Sequence, residues 1–173
     1  MTDKLDNEPL KLRPHHILDV IRNYGRDVKF TPHSKGHSLH VIAEKITTNP
    51  EIKVQLVVEN DDICEGCVHL SGTKCDDVLS QLSPSPSKQA YNDVLDSILL
   101  DYIGLKQNTI LTIKEYAVII SGKMPDIVNL CTHPKENKEE RLRGMEAGLK
   151  KLFNKAIVQL PSEKQITGQI KFS

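Results

Sequence analysis

The feature that most constrains the fold is the placement of four cysteines, at 64, 67, 75 and 131. Cys64-Glu65-Gly66-Cys67 is a C-x2-C knuckle. Two intervening residues let both sulfurs face one metal, and Gly66 permits the tight turn that brings backbone amides toward sulfur. Cys75 follows in a loop containing Gly72, and Cys131 lies 56 positions further on. If these thiols serve one centre, the chain must return over those 56 positions to bring Cys131 back to the knuckle. The sulfurs would then stand ~4 Å apart around zinc, or ~6–7 Å apart around a cubane cluster.

Between Glu59 and Asp77 there are six acidic residues against Lys74 alone, and three of the cysteines lie in that stretch. A thiol-redox pair needs nearby positive charge to lower a thiol pKa, so an acidic setting argues against one. Cysteines serving only as small buried apolar residues are a competing reading, although polar loops are poor places for core packing. Metal coordination overcomes the electrostatic penalty that a bare thiolate would meet here. Structural zinc usually shows two similar knuckles, whereas Cys75 plus a distant Cys131 is irregular. Iron-sulfur clusters accept scattered sets of four cysteines. A cluster, 4Fe-4S in type, is therefore the first reading, and zinc held by three cysteines and His133 is its main rival.

At 173 residues the chain suits one domain with a core of its own. We read residues 1–9 as a flexible N-terminus, 10–160 as a single metal-binding domain and 161–173 as a C-terminal tail. Lys plus Arg equals Asp plus Glu at 23 each, so no global field draws in nucleic acid or an anionic membrane. No stretch approaches the ~18 apolar residues of a membrane span, and the first residues lack a signal peptide's apolar run. A cytoplasmic location follows as the expectation, and in such a compartment a structural disulfide is disfavoured. A redox partner protein is the expected partner; the oligomeric state is left open.

The apolar pattern is mainly helical. Pro14 opens a run to Tyr24 with Ile17, Val20 and Ile21 on one face, closed by Gly25. A second helix is expected over 38–47, stopped by Pro50, and a strand over 53–58 leads into the cysteine loop. Ser87 caps a helix whose expected inward positions are Tyr91, Val94, Leu95, Ile98, Leu99 and Tyr102. A short extended piece, 109–111, precedes Thr112-Ile113-Lys114-Glu115, a capping box for a helix ending near Gly122. The last helix is expected to begin near 132–134, with Leu142, Met145, Leu149 and Leu152 buried. Its positive N-terminal end would then sit beside Cys131. The fold class is α+β: a mainly helical single domain with a few short strands and a metal-pinned cysteine loop.

Five of the seven histidines fall between 15 and 40: His15, His16, His33, His37 and His40. His15 and Asp19 are i,i+4 neighbours on the first helix. A second metal site or an acid-base pair is one reading, and ordinary capping or solvent-facing histidines the other.

Leu12-Arg13-Pro14-His15-His16-Ile17-Leu18 together with Asp61-Asp62-Ile63-Cys64 resembles the signature of a family of small bacterial and archaeal proteins of unknown function, described as predicted iron-sulfur binding. The chain is similar to the longer archaeal type that also carries Cys-Thr-His-Pro, here Cys131 to Pro134. The resemblance implies an iron-sulfur centre and no settled activity, so catalysis stays open. Shorter relatives carry a cysteine near the position of Asp19, which implies that the first helix approaches the centre. His15, His16 and Asp19 then join His133 as further candidate ligands beside Cys64, Cys67, Cys75 and Cys131. The alternatives carried forward are a zinc-stabilised, non-catalytic binding module and a metal-dependent enzyme that uses the His15, His16 and Asp19 face.

Overall fold

The computed structural model describes residues 8–158 except His133. The expected tail, the first residues of the expected flexible N-terminus and His133 lie outside the described residues. Three short strands form the sheet: β1 (Leu10–Leu12), β2 (Lys53–Leu56) and β5 (Ile110–Thr112). β2 is central, parallel to β1 and antiparallel to β5. Leu12 pairs with Leu56, and Val54 with Leu111. These apolar side chains alternate onto the core face while Lys11 and Lys53 point to solvent. β1 has no signature in the sequence because three residues are too few to show alternation.

Six helices enclose the sheet among the described residues: α1 (Pro14–Gly25), α2 (Leu39–Thr48), α3 (Lys88–Ile103), α4 (Ile113–Ser121), α5 (Asp126–Cys131) and α6 (Lys138–Val158). The α+β, mainly helical architecture is as expected. α1 starts on Pro14 because proline's fixed φ suits a first turn. α3 starts where the Ser87 hydroxyl accepts from Ala90 N at 3.3 Å. The Thr112–Glu115 capping box closes in both directions, with Glu115 N to Thr112 Oγ1 at 3.1 Å and Thr112 N to Glu115 Oε2 at 2.7 Å.

α1 and α6 cross with almost no space between their backbones. A Cβ on Gly25 would collide with the carbonyl of Gly144, and one on Gly148 with the carbonyl of Ile21. This approach buries Ile17, Leu18, Val20 and Ile21 against Met145, Leu149 and Leu152. Leu142, expected inside, is only half-buried.

Two sequence expectations are corrected here. α3 is rotated relative to its most apolar face: Asp96, Leu99, Leu100 and Ile103 point inward, while Val94 and Ile98 are 61% and 47% exposed. A buried carboxylate is tolerated only when paired, and Asp96 is paired with Arg13 and His15. The last helix begins at Lys138, not near 132–134, so Cys131 closes α5 and stands seven positions before α6 rather than directly at its start.

Candidate metal centre

The cysteine loop is built from short, local hydrogen bonds. Cys64 ends a 3-10 turn, Asp62–Cys64, that the Asp61 carboxylate caps by accepting from Ile63 N. Cys67 N donates to Cys64 O at 3.0 Å, closing the knuckle. Gly66 takes φ +80°, and a Cβ there would stand 2.7 Å from Gly36 O, so the knuckle rests on a second glycine turn at φ +79°. Cys75 sits on a hairpin of β3 (Leu70–Ser71) and β4 (Lys74–Cys75), its amide donating to Gln89 Oε1 at 3.0 Å. Residues 35–38 fasten the loop: Ser38 N to Ile63 O at 2.9 Å, Val68 N to Lys35 O at 2.8 Å and Lys35 Nζ to Asp77 Oδ2 at 2.6 Å.

Cys64, Cys67, Cys75 and Cys131 all line one cavity of about 430 Å³. No disulfide joins them. Cys131 reaches this wall from α5, and its Sγ accepts from Arg141 Nε at 3.3 Å. The Arg141 guanidinium is held by Asp19 Oδ1 at 2.9 Å and Glu136 Oε1 at 3.2 Å. The positive charge beside Cys131 therefore comes from a buried arginine on α6, a role that no sequence pattern marks. Two residues separated by ten positions across a helix gap leave no periodic signal.

The electrostatics of the two best-defined thiols differ. Burial and the neighbouring Asp61 carboxylate push the Cys64 thiol up to about 12. Burial also raises Cys131, with Arg141 acting against it. An unligated Cys64 is thus a neutral thiol at pH 7, and metal would have to displace its proton. Four sulfur donors with Arg141 and Lys35 beside them are suited to a soft, thiolate-ligated group. Among the described residues, no three His, Cys, Asp or Glu side chains form a group arranged to hold one metal ion.

The double histidine lines the same cavity. His16 Nδ1 lies 2.7 Å from Asp61 Oδ2, and His15 Nδ1 lies 2.9 Å from Asp96. Asp61 also accepts from Arg13 N at 2.8 Å, and Asp96 from Arg13 Nη1 at 2.8 Å and His15 N at 2.9 Å. Burial pushes the Asp61 carboxyl up, but the His16 charge and hydrogen bond, with Arg13 N, bring it below its ordinary range. Burial lowers the His16 imidazole, and Asp61 more than reverses that. Sequence reasoning misses the carboxylates Asp61 and Asp96 as site residues, because acidic residues far along the chain reveal their partners only once folded. Asp19 also lines the cavity, one turn on from the histidines.

No curated protein and no solved structure matches the chain. One family model does, over a segment that contains all four cysteines and leaves out His15, His16 and Asp19. That match covers residues 35–136, more than half of the chain, and the chain therefore belongs to the family described as Protein of unknown function (DUF1284).

Proposed function

We propose that this protein holds one iron-sulfur cluster, of the 4Fe-4S type, through Cys64, Cys67, Cys75 and Cys131, and serves electron transfer or sensing. The observation that carries the reading is that all four cysteines line one cavity although Cys131 is 56 positions beyond Cys75. When bound, such a cluster supplies a one-electron redox couple.

The chain's own residues give that centre its setting. Arg141 donates to Cys131 Sγ, which offsets thiolate charge and holds the sulfur in one orientation. Lys35, fixed by Asp77, places a second cation near Cys67 and Cys75. Gly36 and Gly66 let the two turns touch, which keeps the knuckle facing inward. A partner protein exchanging electrons would approach over the polar cysteine loop, where Val68 is 70% exposed.

Anaerobic purification with an absorption spectrum and iron, sulfide and zinc analysis tests the reading. A broad band near ~400 nm with about four iron and four sulfide per chain is expected. A colourless, zinc-loaded protein would overturn it.

A further inference from the structure

The two adjacent histidines of α1 show the hydrogen bonding of metal ligands, quite apart from the thiols. Carboxylates accept, so the short contacts from Asp96 to His15 Nδ1 (2.9 Å) and from Asp61 to His16 Nδ1 (2.7 Å) fix the proton of each neutral ring on Nδ1. Each Nε2 then carries a lone pair. Among the described residues no side chain or backbone group takes either Nε2, and both rings line the cavity. A histidine whose Nδ1–H is tied to a carboxylate while Nε2 stays open is the arrangement that orients imidazole for a metal and raises its basicity.

Geometry and charge agree. The ring centroids lie 4.3 Å apart with planes tilted by 56°. Two imidazoles bound through Nε2 to one ion, with bonds of ~2.0–2.1 Å, place their centroids ~4.5 Å apart at a right angle and ~5.2 Å apart at the tetrahedral angle usual for zinc, so small ring movements suffice to seat one ion. Behind the rings stand Asp61, Asp93, Asp96, Asp19 and Glu136, against the guanidinium groups of Arg13, Arg22 and Arg141. The balance of those fixed charges favours a cation. We propose that His15 Nε2 and His16 Nε2 together bind one divalent transition-metal ion of the zinc, cobalt or ferrous class, facing the cavity. Water or a substrate oxygen completes its coordination, because the Asp19 carboxylate is engaged by Arg141. The site does not rest on the cluster reading: it uses no thiol and lies outside the matched family segment.

Anaerobic titration of the full chain with Co2+, after its iron and sulfide have been counted, tests the site. Cobalt on thiolate gives intense near-ultraviolet sulfur-to-metal charge transfer, whereas cobalt on imidazole and water gives weak visible bands alone. One equivalent without the charge-transfer band is expected. His16→Gln and His15→Gln should each weaken it at least tenfold, and Asp61→Asn should weaken it 10- to 100-fold, the range typical for loss of an outer-shell partner. Neither histidine change should move the iron and sulfide count, whereas Asp61→Asn, at the cap of the Cys64 turn, is read by cobalt affinity alone. His15 is the more buried of the two, so if His15→Gln fails to fold, His16→Gln decides. Cobalt binding only with the thiolate band, or unchanged in His16→Gln, would overturn the proposal. Absence of iron and sulfide would instead count against the cluster while leaving the thiolate-free cobalt equivalent in place.

Discussion

Arg141 concentrates three interactions on one side chain: its Nε on Cys131, and its Nη groups on Asp19 and Glu136. It is almost fully buried, whereas Asp19 and Glu136 keep 33% and 27% of their side chains exposed. Replacing it by Gln leaves Asp19 and Glu136 with Arg22 as a remaining guanidinium partner, at 3.5 Å and 3.2 Å. The expected loss of stability is about 2 kcal/mol, less than the ~3–5 kcal/mol of a fully buried pair because water still reaches both acids. Urea unfolding of Arg141→Gln checks this, and a midpoint equal to the wild type would show that the network contributes nothing. At this scale the sequence is half legible. The C-x2-C knuckle and the His15-His16 pair stand out as candidate site residues through spacing alone, since the members of each are neighbours. Asp61, Asp96 and Arg141 carry no such mark. Their roles come from pairings across 45, 81 and 10 positions, which only the fold creates.

Helix starts are legible in the sequence because caps are local: Pro14, Ser87 and the Thr112–Glu115 box each act within one turn. Helix faces are less so. α3 carries its largest apolar residues over more than one side, and burial of the Asp96 carboxylate with Arg13 selects a face that hydrophobicity alone ranks lower. The start of α6 is obscured because Cys131 and its neighbours form a separate six-residue helix, too short to show a period. The α1–α6 crossing gives a sharp prediction. Gly148→Ala forces a methyl into the Ile21 carbonyl, so the helices must separate. A loss of about 3 kcal/mol is expected, at the upper end of ordinary overpacking. Gly122→Ala meets nothing nearer than 3.6 Å and should change stability by no more than ~0.5 kcal/mol. Equal thermal midpoints for the two variants would contradict this view of the crossing.

For the whole molecule, several carboxylates titrate below their ordinary range. The Lys35 hydrogen bond holds Asp77 at about 2. Asp19, which burial alone would raise, is brought down by Arg141 and Arg22, and Asp61 by His16. A depressed carboxyl contributes stability that is fully present above its unfolded pKa and lost as pH falls through the folded one. The protein should therefore hold its midpoint at pH 5 and lose it steadily from about pH 4 toward 2. Asp77→Asn should remove part of that slope. The His16 shift has the opposite sign: raised by Asp61, it contributes below its unfolded value of ~6.5 and fades as pH rises through the folded one. Thermal melts across pH 2 to 9 check both limbs, and a flat acid limb would show that these carboxylates gain nothing on folding.

The crossing of α1 with α6 also bears on how the chain comes off the ribosome. α1 is complete at Gly25, and its partner does not begin until Lys138. At 5–20 residues per second, roughly 10 s of synthesis separate them. Throughout that interval Ile17, Leu18, Val20 and Ile21 lack the face that Met145, Leu149 and Leu152 of α6 later supply. The cavity waits on the same event, since its wall draws on α1, α5 and α6 together. Nascent chains halted before residue 138 should accordingly remain accessible to protease and to holdase chaperones, and become compact only once α6 has cleared the exit tunnel.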